Sequence, residues 1–506
     1  MALTDYNMEA RLAYLSWITT EDSAEERFVR TAREYVAGEH PVYLTDRQEE
    51  FLGLKAKNLT FPFAHNLCRL VIDCVVERLC ISGWEPAAQA NAGEENSDPA
   101  VAIAAASAWW EQNRMDAQQD QIYEAACSDG TSYVIVDWDV QTAGPRWTLN
   151  RQFDGTQGVR VYRDPNTNQV VFAAKRWQVY APFDKTINGR TRMNLYFPDR
   201  VEKWISASGS NPGIAGLSWE MYEGEGDKGG IVVWTDGAGE PLGCAVVPFE
   251  NPGGSEIVGA ISLQDMLNKA DLDLVAATDS AGFRILYMTG VALKTNTAGA
   301  VDDVTLGPGK VVKLQDPAAR FGAIDPVDPA LLIASCHYWL TSIAGATRTP
   351  QFLLTALGAD QPSGESLKNQ EIGLVAKCER KQEVWGNSWE DVVYLSQKLA
   401  ALNGASISPV RLQAQWKPAA QQEDPEVVEA RRAQTRKLGV DAQIPLVTIL
   451  RREGWTEEEL QQLEKDKAAE SRAVKQTLGA ALAAAQREFD QGGSQNAGGN
   501  DGGPTE

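Results

Sequence analysis

Between residues 255 and 346, two stretches with helical spacing enclose a short segment of a different character, and this pattern limits the fold more than any other feature. Ser255 can cap the first, with Glu256 in its first turn facing the positive end of the helix dipole. Ile257, Ile261, Leu267, Leu274 and Ala281 continue it to about Phe283. The second begins at Asp328-Pro329, a cap followed by the one residue suited to the first helical position. It runs through Leu332, Trp339 and Ile343 to Gly345. The piece between them, 284 to 326, reads as strands at Arg284 to Leu293 and Lys310 to Gln315 around a Gly/Asn/Asp-rich loop. Two helices around a β insertion make a stalk that carries a tip.

Charge sharpens the pattern. The chain is strongly acidic, at −22 over 506 residues, which argues against a broad basic surface that grips nucleic acid. It does not exclude a protein that surrounds a duplex, because an acidic wall repels phosphate and keeps DNA from stalling on salt-dependent contacts. Residues 255 to 283 hold five acids against one lysine, net −4, whereas the tip holds five basic and four acidic residues. An acidic helix is as readily a solvated face as a channel wall.

Around the stalk, the chain alternates in character. Residues 1 to 38 read as helical, with Met8, Leu12, Leu15, Phe28, Ala32 and Tyr35 on one stripe. A second helix starts near Phe63 and stops before Gly83, and Ala100 to Arg114 forms a third. Glu85 to Pro99 reads as a surface loop. A β-rich block follows, with strands at Ser132 to Trp138, Val159 to Arg163, Val170 to Tyr180, Met193 to Phe197, Val201 to Ile205 and Ile231 to Thr235. A Gly/Ser-rich insertion with little periodicity, expected to be mobile, interrupts the block at 206 to 230. Beyond the stalk, a Pro/Gly loop at 347 to 362 leads into the longest periodic stretch, Ser363 to Asn403, marked by Leu367, Leu374, Cys378, Trp385, Trp389 and Leu399. Unbroken, it spans about 60 Å, with Gly386 as a candidate kink. Val410 to Trp416 reads as a strand, and three helices follow between Pro425 and about Phe489. The Gly/Asn/Ser-rich tail from Asp490 is expected to be disordered.

Catalytic signatures are missing. Three histidines, His40, His65 and His337, leave few candidates for a zinc site or a triad. Gly307-Pro308-Gly309-Lys310 mimics a phosphate loop only in part: position 304 is Val, and Val311 follows the lysine where Ser or Thr is needed. His65 with Cys68 lacks a second pair at ligand spacing. The seven cysteines, without any CxxC, read as free thiols of a reducing compartment. Met1 to Trp17 lacks the basic start and apolar run of a secretory leader. No run long enough to span a bilayer occurs, so no membrane association is expected. The expectation is a protein with no catalytic residue, metal or cofactor.

Four local signatures occur in a telling order. Asn66-Leu-Cys-Arg-Leu-Val-Ile-Asp73 opens a helix followed by Gly83. Trp110-x-x-Asn113-x-Met115-Asp116 comes next. Val247-Pro248-Phe249-x-Asn251 precedes Ser255-Glu256-Ile257 and then Ser262-Leu263-Gln264-Asp265-x-x-Asn268-Lys269. Pro350 and Pro362-Ser363-Gly364-Glu365-Ser366-Leu367 mark the loop before the long helix. In order and spacing this resembles the SPP1-type portal family of siphophages, over roughly residues 25 to 470.

The resemblance implies an α+β portal fold: a mixed α/β wing, a two-helix stem, a small β-containing clip, a long helix and an α-helical crown. Carried over, the wing is 1–254, the stem helices 255–283 and 327–346, and the clip 284–326. The tunnel loop is 347–362, the long helix and a returning wing strand are 363–418, the crown is 419–489, and the tail is 490–506. It also implies a dodecameric homo-oligomer at one capsid vertex of the virion, assembled in the host bacterial cytoplasm. Such a ring passes double-stranded DNA during packaging and ejection. It docks the terminase large subunit, then a head-completion or adaptor protein, beside major capsid and scaffolding proteins. The residues implied are Arg348, Gln351, Phe352 and Leu353 on the tunnel loop and Asp265, Lys269, Asp271, Asp273 and Asp279 on the channel wall. Lys294, Asp302, Asp303, Lys310 and Arg320 fall on the clip's docking surface. A different virion component, of capsid or tail, is the alternative; a shell protein, however, has no reason to place a β insertion between paired helices.

Overall fold

In the computed structural model, the described residues are 24–41, 46, 65–87, 99–183, 187–207, 219–223, 230–282, 286–289, 320–323, 328–355 and 364–420, with Leu450, Leu460, Leu463 and Lys465. They divide into two units, one of 1–80 with 85–413 and one of 81–84 with 414–506. In the second, β1 (Ile81–Pro86) neighbours β13 (Leu412–Trp416), and Ser82 Oγ donates to the Gln415 carbonyl.

The larger unit is organised by aromatic side chains. In chain order its first helices are α1 (Ala24–Ala37), α2 (Leu67–Val76), α3 (Pro99–Gln112) and α4 (Met115–Asp129). Strands β2 (Thr131–Asp139), β3 (Gly144–Arg151) and β10 (Val246–Glu250) form an antiparallel sheet in the order β10-β2-β3. The long helix, here α8 (Gly364–Leu402), packs on that sheet and stays helical through Gly386. Its Trp389 meets Trp110 of α3, Trp147 of β3 and Phe249 of β10 at centroid distances of 4.9, 5.9 and 5.0 Å. One turn earlier, Trp385 stacks on Tyr123 of α4.

A buried indole N–H is costly to leave without an acceptor. Trp389 Nε1 donates to the Tyr123 hydroxyl, Trp385 Nε1 to the Glu250 carbonyl and Trp147 Nε1 to Ser396 Oγ, each at 2.9 Å. The Trp110-Asn113-Asp116 signature belongs to this core. Asp116 accepts from Trp110 Nε1, and Asn113 clamps β3 by accepting from the Trp147 amide and donating to the Pro145 carbonyl.

Between β3 and β10 lie β4 (Gly158–Arg163), β5 (Val170–Gln178), β6 (Thr191–Tyr196), β7 (Arg200–Ser206), β8 (Trp219–Met221) and β9 (Ile231–Val233). They form a second antiparallel sheet in the order β4-β5-β6-β7-β8, with β9 also on β7. Phe172, Met193, Leu195, Phe197, Trp204 and Trp219 fill its apolar face.

Several expectations need correction. The insertion at 206 to 230 holds a strand, β8, because Trp219 is drawn under the second sheet. The helix from near Phe63 begins at Leu67, capped by Asn66, and ends at Val76 before β1. Ser255 starts no helix. Its hydroxyl donates to the Cys127 carbonyl and accepts from the Ile257 amide, a local turn that competes with capping. The helix, α5, spans Ile261–Gly282. Of the strands at 284–293 and 310–315, the first includes β11 (Leu286–Thr289), its other residues lying outside the described ones, as does the whole of the second. The partner of β11 is β12 (Arg320–Ala323). Also outside are residues 1–23, the stretch 490–506 and nearly all of 421–489.

Candidate functional site

Helix α6 (Pro329–Thr347) begins as its sequence dictates: Asp328 Oδ1 accepts from the Ala330 amide at 2.9 Å, and Pro329 occupies the first turn. It packs along α5, and the antiparallel β11–β12 pair follows α5 and precedes α6. Helix, strand, strand and helix thus form a pillar with a β end. Between Pro329 and Thr347, α6 carries no charged residue, yet Leu331 is 70% exposed, Tyr338 62% and Ile333 45%.

The base of α5 is fixed by amides. Gln264, fully buried, accepts from the Leu67 amide at the N-terminus of α2 and donates to the His65 carbonyl. Asn268 bonds Gln264 and His40. A helix start buried against another helix needs such acceptors for its free N–H groups.

The acids of α5 are tied up within the chain to differing degrees. Asp265 accepts from the Tyr35 hydroxyl, and Lys269 pairs with Asp273 one turn on. Asp271 lies 3.7 Å from His65 Nδ1, and the nearby carboxylate raises the imidazole above its ordinary pKa. Burial, with Asp271 alongside, pushes the Cys336 thiol of α6 up to about 12. The side chain of Asp279 falls outside the described ones, as do Lys294, Asp302, Asp303 and Lys310 altogether. Arg320 is exposed in β12, opposite Thr289.

The segment 347 to 362, expected as a loop, opens with a cap and a single helical turn. Arg348 closes α6 in the left-handed conformation, φ 54°, and its side chain is exposed. Helix α7 (Gln351–Leu354) follows and packs on α6 and α2, with Leu354 buried and Phe352 and Leu353 half-buried. Gln351 Nε2 donates back to Thr341 Oγ1 at 3.1 Å. Residues 356–363 are outside the described set.

At the foot of the pillar, the β10–α5 turn, the end of α6 and the middle of α8 enclose a cleft of about 420 Å³. Glu256 is its anchor. Lys377 Nζ donates to Glu256 Oε2 at 2.9 Å and to the Thr347 carbonyl at 2.8 Å. Lys381 Nζ donates to Glu256 Oε1 and to Asn251 Oδ1. Burial disfavours the Glu256 carboxylate, but Lys381 and Lys377 outweigh it and bring the carboxyl down to about 2. Asn251 and Glu256 belong to the signature before the stalk; their partners lie more than a hundred residues away and were not read from sequence. The available signal was the Lys377, Arg380, Lys381 spacing, which places three cations on one side of a helix.

Among the described residues, no three His, Cys, Asp or Glu side chains are grouped to hold a metal ion. No described helix is long and apolar enough to cross a membrane. None of the seven cysteines is joined in a disulfide.

With this geometry in view, the chain was compared with known proteins. The family model described as phage portal protein, SPP1 Gp6-like, matches residues 63–473. The portal protein of Mycobacterium phage L5 is 22% identical over 405 residues, covering 74% of this chain and 73% of the relative. The portal protein of Mycobacterium phage D29 matches to the same extent.

Proposed function

The chain belongs to the SPP1 Gp6-like family of phage portal proteins, and on that premise we propose that it forms a dodecameric ring whose α5–α6 pillars line a channel for double-stranded DNA. Portal proteins are structural components of the virion, in general assembled as rings with capsid and terminase. In the fuller reading, the ring sits at one capsid vertex and serves both packaging and ejection. The wing is 1–254 with the long helix, the stem is α5 and α6, and the clip is the β11–β12 end. Residues 347–362, helix α7 among them, are the tunnel loop, which carries Arg348, Gln351, Phe352 and Leu353. The clip, including Arg320, receives the terminase large subunit and later a head-completion protein. Capsid and scaffolding proteins meet the outer wing.

One observation carries this reading: α5 and α6 pack along each other and are linked through a short antiparallel pair. A pillar of this kind, repeated about an axis, encloses a passage; a closed ring needs only a head-to-tail contact whose rotation returns to the start. The acidity of the chain suits a wall along which a polyanion slides. End-on electron microscopy of the purified full-length protein tests the reading. Rings with a central opening are expected, twelve subunits in each. Monomers at every concentration and salt would overturn it.

A further inference from the structure

We propose that the cleft at the foot of the pillar is a phosphate-binding site, with Arg348 and Arg380 as the groups that take the anion. Its lining holds four cations, Arg348, Lys377, Arg380 and Lys381, against one carboxylate, Glu256. In a chain of net charge −22 that concentration of positive charge is exceptional. The single carboxylate bonds both lysines and neutralises one charge between them, so the site keeps an excess of three. Lys377 also bonds the Thr347 carbonyl, offsetting the negative end of α6 that would otherwise repel an anion.

The two arginines differ from the lysines. Both are exposed, and neither has a side-chain partner among the described residues. Arg348 stands in the left-handed conformation that closes α6, where glycine is the unstrained choice. Keeping arginine there costs backbone energy, which points to a use for the side chain. Forked guanidinium donors, approaching from α6 and from α8 over a bed of ammonium groups, suit a ligand with oxygens in several directions. A phosphate presents a tetrahedron of oxygens, in a diester as in the free ion; a carboxylate offers one planar edge. The phosphate is either a phosphodiester of the duplex, which rests on the portal reading, or a free phosphate ion, which does not.

The test uses the assembled full-length protein and the double variant Arg348→Gly, Arg380→Ala, whose replaced side chains bear no described contact. Binding of a short duplex is followed against salt, and melting is compared in phosphate and in chloride at equal ionic strength. If the backbone of DNA is the occupant, the variant binds the duplex about tenfold more weakly at low salt. Its salt slope is then shallower by at least about 0.9, one phosphate contact. If free phosphate is the occupant, duplex binding is unchanged but the extra stabilisation by phosphate disappears. The general kosmotropic part of that stabilisation persists in both proteins and cancels. Unchanged duplex binding together with unchanged phosphate response overturns the site. So does a variant that no longer forms the rings the parent forms, because the cleft then holds an acidic segment of a neighbouring copy. Failure of the parent itself to form rings strikes the portal assembly instead, and the phosphate arm is still read on the subunit.

Discussion

At the scale of single residues, Glu256 shows how a sequence signature can hide its purpose. Read locally, it is a helix-dipole acid; in space, it is the carboxylate that joins the β10–α5 turn to α8 through Lys377 and Lys381. Its carboxyl sits at about 2 against an ordinary 4.5. Because the folded value is the lower one, its stabilisation is complete above about 4.5 and is lost as pH falls towards 2. That difference corresponds to about 3 kcal/mol of pH-dependent stability. Glu256→Gln is therefore expected to lack this part of the acid destabilisation, and at neutral pH to be weaker by about 3 kcal/mol or more for leaving Lys381 buried without its counter-ion. Denaturant midpoints of both proteins between pH 6 and 2.5 measure it. Parallel curves would show that the carboxylate does not hold the turn to the helix. Sequence cannot supply this pairing, since a separation of 121 to 125 residues leaves no local trace.

Elements whose formation depends on local chemistry were legible; those that depend on packing were not. Helix α6 follows from Asp328-Pro329, and the long helix from its apolar stripe, to within two residues at each end. The cap makes a prediction of its own. Asp328→Ala removes the acceptor of the Ala330 amide and is expected to cost about 1 kcal/mol. It should show first as faster amide exchange in the opening turn of α6; unaltered protection there would mean that packing on α5 alone fixes that start. By contrast, α4 reads as polar, with Gln118, Gln119, Asp120 and Gln121 in succession, and begins after a left-handed Arg114 with no side-chain cap. It exists because Ile122, Tyr123 and Ala126 are buried, and Gly130, φ 101°, ends it in a conformation glycine adopts freely. Strands β3 and β10 were missed for another reason. Each contains a proline, Pro145 and Pro248, which argues against a central strand; both lie on the edges of the sheet, where proline is tolerated. Of the candidate site, Arg348 and the acids of α5 were visible in sequence. The cleft was not, because it is assembled from three parts of the chain.

For the whole molecule, the decisive balance lies between repulsion and burial. Copies that each carry −22 repel one another at low ionic strength, so a ring needs apolar surface to bring them together. The pillar offers some. Leu331, Ile333 and Tyr338 stand exposed on α6, a helix of 19 residues without a charge, whereas its neighbour α5 carries Asp265, Lys269, Asp271 and Asp273. An isolated soluble subunit gains nothing from such a helix, since every exposed apolar side chain is a liability to solubility. In a ring, the same side chains are removed from water at about 25 cal/mol per Å². Leu331→Asp with Tyr338→Asp is thus expected to leave the subunit's melting unchanged, because both positions face solvent, while shifting assembly from rings to subunits. Added salt, which screens the general repulsion, should rescue assembly only in part, because the buried carboxylates remain costly. Light scattering after size exclusion, at two salt concentrations, separates these terms. Rings of full size in the double variant at low salt would place the contact between copies on some other face and leave α6 to line the passage itself.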